Sequence, residues 1–98
     1  MLDEIVAAIQ QQRALTINYH PGLREIEPHA VGYGKRRQLL LRAFQTRGAS
    51  ASGKHADWKL FRVDRVAISP QMADHFGGPR PGYRRGDPAM TGGIIAQL

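Results

Sequence analysis

The stretch Trp58-Lys-Leu-Phe-Arg-Val-Asp-Arg-Val-Ala-Ile68 decides the fold. Read with a period of two, Phe61 and Val63 fall on one face while Trp58, Leu60 and Arg62 fall on the other. Aromatic and β-branched residues suit a pleated, half-buried surface, so a strand is predicted here with Phe61 as its core anchor. Asp64 breaks the pattern; Arg65, Val66 and Ile68 resume the apolar spacing until Pro70 stops it. Lys59, Arg62 and Arg65 make the same segment basic, so core and function are sought together.

Working outward, residues 2–13 repeat apolar side chains at Leu2, Ile5, Val6 and Ile9, the spacing of one helical stripe. Asp3 and Glu4 stand at the positive end of that helix's dipole and Arg13 near its negative end. About three turns are marginal alone, so the stripe must pack on a sheet. Residues 14–20 switch to period two, Pro21-Gly22 signals a turn, and residues 24–31 alternate again, which reads as a β-hairpin. Pro28 removes a ladder donor and marks an edge, a bulge or a strand end. A basic turn is expected over residues 32–37. A third strand follows over 38–46, with Leu39, Leu41 and Ala43 on one face and Leu40, Arg42 and Phe44 on the other. A strand apolar on both faces is a central strand covered on both sides, or a barrel wall. Residues 47–57 are small and polar, a flexible connection.

Gly77 opens a different composition. Glycine and proline dominate residues 77–88, so this segment is expected to be irregular, mobile and dispensable. The apolar end, Gly92-Gly-Ile-Ile-Ala-Gln-Leu98, reads as a short strand or docking peptide. Two units follow: a domain over 1–76 and a tail over 77–98.

At 98 residues, 42% hydrophobic and 22% charged, the chain is one ordinary globular domain with a real core. No run approaches the roughly 20 apolar residues of a membrane span, and the acidic start is not that of a signal peptide. A cytoplasmic protein without membrane attachment is expected. Without cysteine, disulfides and thiolate zinc sites are excluded. The net charge of +6 favours anionic partners.

The segment order resembles a WYL domain, a small β-barrel of the Sm/SH3-like type, over about residues 2–68. The resemblance rests on the helix 5–12, Ile17-Asn-Tyr19, Arg24-Glu-Ile-Glu-Pro28, Leu39-Leu-Leu-Arg-Ala-Phe44 and Lys59-Leu-Phe-Arg-Val-Asp-Arg-Val66. The last is similar to the family's Arg-x-Phe-Arg-Leu-Asp-Arg-Ile signature. Leu39-Leu40-Leu41 replaces the tripeptide that names the family, and Lys59 replaces the signature's first arginine, a point charge for a bidentate fork. The expected fold is therefore α+β: one N-terminal helix and a strongly bent antiparallel sheet forming an Sm/SH3-like barrel. The family usually accompanies a winged helix-turn-helix, helicase or defence module, and no such partner domain is expected within these 98 residues.

The resemblance implies a regulatory, ligand-sensing module, linked to transcription regulation or defence, whose basic face receives a nucleotide or single-stranded nucleic acid. Tyr19, Arg24, Arg62 and Arg65 match its polar positions and are the candidate ligand-binding residues. Arg42 joins them from the third strand. Arginine forks suit phosphate, and a tyrosine can stack a base. The plainer alternative pairs Arg62 with Asp64 or Glu25 and buries Tyr19; the arginines are then surface, and the domain and its tail serve protein interaction or self-assembly. A partner protein or self-association is expected.

An enzyme is not expected. Glu27 and His29 form the one tempting acid–base pair, but no nucleophile with an orienting group accompanies it. His20, His29, His55 and His75 lack metal-ligand spacing, and neither a dinucleotide fingerprint nor a P-loop is present, so no cofactor is expected.

Overall fold

The structure, a computed structural model, describes residues 1–69 and 73–98. Helix α1 (Leu2–Gln11) is followed by β1 (Leu15–Tyr19), β2 (Gly22–Tyr33), β3 (Leu39–Gly48) and β4 (Asp57–Arg62). A one-turn 3-10 helix (Val63–Arg65), β5 (Ala67–Ile68) and β6 (Gly93–Gln97) complete it. The expected α+β class holds.

Helix α1 stops two residues short of Arg13. Gln12 adopts the left-handed conformation (φ 53°), donating to the Ile9 carbonyl at 3.2 Å, and Arg13 N–H reaches back to Ala8 at 2.9 Å. This pair of bonds closes a helix that continuing periodicity alone would extend. Ile5 and Ile9 are buried from the apolar stripe, with Leu2 and Val6 packed beside them.

The sheet is antiparallel, in the order β4-β3-β2-β1-β5, and β6 joins β2 off that path. β2 is the spine. β3 pairs along nearly all of one edge, while β1 takes residues 22–26 and β6 residues 30–33 of the other. The register slips between Pro28 and Ala30, so the proline marks a bulge and the strand runs on to Tyr33. The expected basic turn is correspondingly tighter, closed by Gly34 N–H donating to Gln38 at 2.8 Å.

The expected barrel does not close. β4 and β5 are the two ends of the path. The 3-10 turn at Asp64 separates them, and β5 has only two residues, both paired to β1. Closure would need a longer last strand free to pair on both edges.

One face of the sheet carries Ile17, Ile26, Val31, Leu41, Ala43 and Phe61 against α1. Phe61 is 1% exposed, so the period-two reading of the opening stretch assigned its faces correctly. The opposite face is covered too, by the C-terminal segment. Residues 77–92 contain no helix or strand, as their composition predicts, yet they lie packed on the sheet rather than free of it. Met90 is buried with Ala30 and Leu40, and β6 pairs with β2. The mobility argument counted only what the segment could bury within itself; the sheet supplies the rest. β6 approaches so closely that a Cβ on Gly32 would lie 2.5 Å from the Gly93 carbonyl oxygen.

Two outcomes test this packing. Phe61→Ala is expected to cost about 3–5 kcal/mol in urea unfolding, the range for emptying a core phenylalanine site. Gly32→Ala is expected to detach β6 while keeping α1 and β1–β4. Amide exchange should then accelerate at residues 93–98 and leave Leu41 and Phe61 protected.

Candidate functional site

The second face of the sheet carries the charges. Across β2, β3 and β4 the register sets Glu27 beside Phe44, Phe44 beside Trp58, Ala30 beside Arg42, and Arg42 beside Leu60. Two charges on this face, Arg42 and Glu27, meet their opposites from the C-terminal segment. Arg42 donates through Nε to Asp87 Oδ2 at 2.6 Å and through Nη2 to Oδ1 at 3.3 Å. Arg80 donates through Nε and Nη2 to the two Glu27 oxygens at 2.7 and 3.1 Å, its guanidinium 4.7 Å from the Phe44 ring centroid. The bond to Glu27 raises the Arg80 pKa above its ordinary value, against a smaller effect of burial.

The bulge turns His29 into the interface between these layers. Its ring is wholly buried, edge-on to Trp58 (4.7 Å between centroids) and close to Phe76 and Tyr83. The Arg80 backbone N–H can only donate, so Nε2 of His29 is the acceptor at 3.1 Å. The ring proton therefore sits on Nδ1 and is donated to the Glu27 carbonyl at 2.8 Å. Burial lowers the His29 pKa, outweighing the opposite pull of Glu27.

A cleft of about 150 Å³ opens at the edge of this interface. Arg42, Trp58, Tyr83, Arg84 and Asp87 line it with Gly82 and Pro88. The Trp58 and Tyr83 rings stand 6.2 Å apart at 24°. Indole Nε1 donates to the Pro81 carbonyl at 3.2 Å, and the Tyr83 hydroxyl to the Leu98 carbonyl at 3.1 Å, so both rings are oriented by backbone. Asp87 is 6% exposed. Burial pushes its pKa upward, but the bonds from Arg42 and the Ala89 N–H prevail and hold it below the ordinary value. Arg84 is exposed at the rim. Two forks and two flat rings around one cavity can hold a planar anion.

The five residues singled out from sequence do not form one surface. Arg24 is 4% exposed on the helix-facing side, where it donates to the Tyr19 carbonyl at 3.0 Å, to Gln45 Oε1 at 3.3 Å and to the His20 carbonyl. Its guanidinium carbon lies 5.1 Å from the Tyr19 ring and 5.5 Å from Phe61, and burial lowers its pKa. Tyr19 is half-buried, edge-on to Phe61, and its hydroxyl accepts the Arg62 N–H at 3.3 Å. Arg62 is exposed and pairs with Asp64 at 2.8 Å, as the plainer alternative has it; Arg65 is exposed and unpaired among the described residues. Arg42 alone of the five lines the cleft. Lys59, at the signature's first position, reaches Ser50 and Ser52 of the β3–β4 connection at 3.0 and 3.2 Å.

Sequence reasoning missed Trp58, Tyr83, Arg84 and Asp87 as a group. The available signal was a strand apolar on both faces in a chain with one helix, followed by isolated charges in an otherwise featureless tail. Among the described residues no group of three or more His, Asp or Glu side chains could hold a metal ion. None of the described helices is long and apolar enough to cross a membrane.

One helix on an open antiparallel sheet, with a charged second face beside an aromatic cleft, defines a small α+β domain. The model of the WYL domain matches residues 1–68, and the chain belongs to that family of regulatory domains. No curated protein and no solved structure matches it. The cleft's outer wall, residues 82–88, lies beyond the matched region.

The buried neutral His29 sets a pH dependence. A depressed pKa means the unfolded chain binds the proton more readily, so this stabilisation is complete above the ordinary value of 6.5. It is lost as pH falls through the folded-state value. Urea midpoints should drop on acidification below 6.5. In imidazole NMR spectra His29 should remain neutral, with its proton on Nδ1, as the pH falls below 6.5; protonation at or above 6.5 would refute the effect of its burial.

Proposed function

We propose that this regulatory domain senses an anionic ligand, a nucleotide or short single-stranded nucleic acid, in the cleft between Arg42, Arg84, Trp58 and Tyr83. The ligand's occupancy is passed to a partner protein in transcription regulation or defence. The observation that carries this reading is the meeting of arginine forks and near-parallel aromatic rings at one cavity. Arginine offers phosphate two aligned donors, and a base gains stacking energy on tryptophan or tyrosine whatever its sequence. The charge balance of +6 supports it by drawing polyanions toward the surface.

Trp58 is the only tryptophan, so its fluorescence reports on the cleft directly. Uridine 5′-monophosphate and a five-thymidine oligonucleotide are expected to quench it, with affinity falling steeply between low and high salt as counterions are released. Arg42→Ala is expected to weaken binding by about tenfold or more. Arg36→Ala, at an exposed residue of the 34–38 turn, should change it little. Loss on Arg62→Ala or Arg65→Ala with Arg42→Ala unaffected would move the site to the signature strand. Absence of binding below millimolar at low salt would reject ligand sensing in favour of an interaction module.

A further inference from the structure

We infer that Asp87 is an internal occupant of the anion position on Arg42, and that the ligand is a single flat ring bearing a terminal phosphate or carboxylate that displaces it. This rests on the proposed sensing role of the cleft and specifies both its ligand class and its regulation.

Three observations carry it. First, Asp87 engages the Arg42 fork through both oxygens, at 2.6 and 3.3 Å, which is how a phosphate or free carboxylate would be held. The anion-binding donors are thus complete and already in use. Second, the cleft beside that pair is about 150 Å³. A cavity of roughly that volume elsewhere accommodates one benzene ring, so one ring fits against Trp58, Tyr83 and Pro88 and a run of stacked bases does not. Third, the segment carrying Asp87 can yield. Gly86 is exposed at φ +75°, with nothing within 4 Å of where a Cβ would stand. Glycine crosses between such states without the penalty a side chain imposes. Fixed points flank this joint: Arg80 is tied to Glu27 on one side, and β6 to β2 on the other. Met90, buried against Ala30 and Leu40, is a further fixed point, so only the short stretch 86–89 swings outward while the anchors stay.

A ligand whose competent state is only partly populated binds more weakly in proportion to that population. Asp87 imposes this handicap on anionic ligands alone. A neutral ring of the same shape escapes it.

The test uses the full chain and Trp58 fluorescence with uridine 5′-monophosphate, benzoate and uridine. Asp87→Asn keeps the side chain's size and removes its charge. It is expected to bind uridine 5′-monophosphate about tenfold more tightly than the parent and uridine equally well. Benzoate separates the carboxylate source from the phosphate source: tighter binding of only one identifies which anion the site takes. A second measurement needs no substitution. Saturating the parent with uridine 5′-monophosphate should speed amide exchange at Gly86 and Ala89, whose N–H groups donate to Gln97 and Asp87, while β6 stays protected. Equal affinity of parent and Asp87→Asn, or slower exchange at 86–89 on binding, overturns the inference and leaves the sensing role standing. No quenching in either protein overturns both.

Discussion

β3 is apolar on both faces, and α1 can cover only one of them. That constraint organises the rest of the molecule. Leu41 and Ala43 are buried on the side of the helix, and Leu40 is buried with Met90 on the other. Leaving the second face wet would expose Leu40, Phe44 and Trp58 together, a patch that soluble monomers rarely tolerate. The chain solves this with residues 76–98, which cross that face without regular structure and then return to the sheet as β6.

Such a cover needs positioning as well as burial, because an irregular segment has no ladder of its own to set its register. Two ion pairs supply it. Arg80 seeks Glu27, and Asp87 seeks Arg42, with opposite polarity, so the segment cannot slide or reverse without setting like charges together. Partly buried pairs of this kind contribute little net stability, since desolvation offsets much of the attraction. Breaking one leaves a charge without its partner, and that is a strong reason to hold one arrangement. His29 adds a third point, accepting the Arg80 N–H from within the bulge that Pro28 introduces. Every buried side-chain polar atom among the described residues has a partner, so the two layers meet without an orphaned group.

The signature strand has a double role. Phe61 and Val63 complete the core, and Trp58, three residues earlier on the opposite face, becomes a wall of the cleft. Arg24 takes a role its charge does not announce. It sits under the core between the Tyr19 and Phe61 rings and ties the β1–β2 turn to Gln45 of β3. An arginine can do this because its flat guanidinium is weakly hydrated and spends its donors on backbone carbonyls.

Period and composition determined the local elements: the stripe of α1, the inward face at Phe61, the hairpin, the irregularity at Pro28, the featureless run after Gly77 and the α+β class. These follow from the covalent geometry of helix and strand, which repeats every few residues and needs no distant partner. The family signature was legible for the same reason, as a contiguous strand. The helix end at Gln12, the open barrel and the fate of the tail were decided by tertiary structure. So was the cleft. Arg42 and Asp87 are separated by 45 residues, and Glu27 and Arg80 by 53. One sequence shows the charges and the rings but not which of them meet. That choice depends on which surface the sheet leaves uncovered once the helix has taken its side.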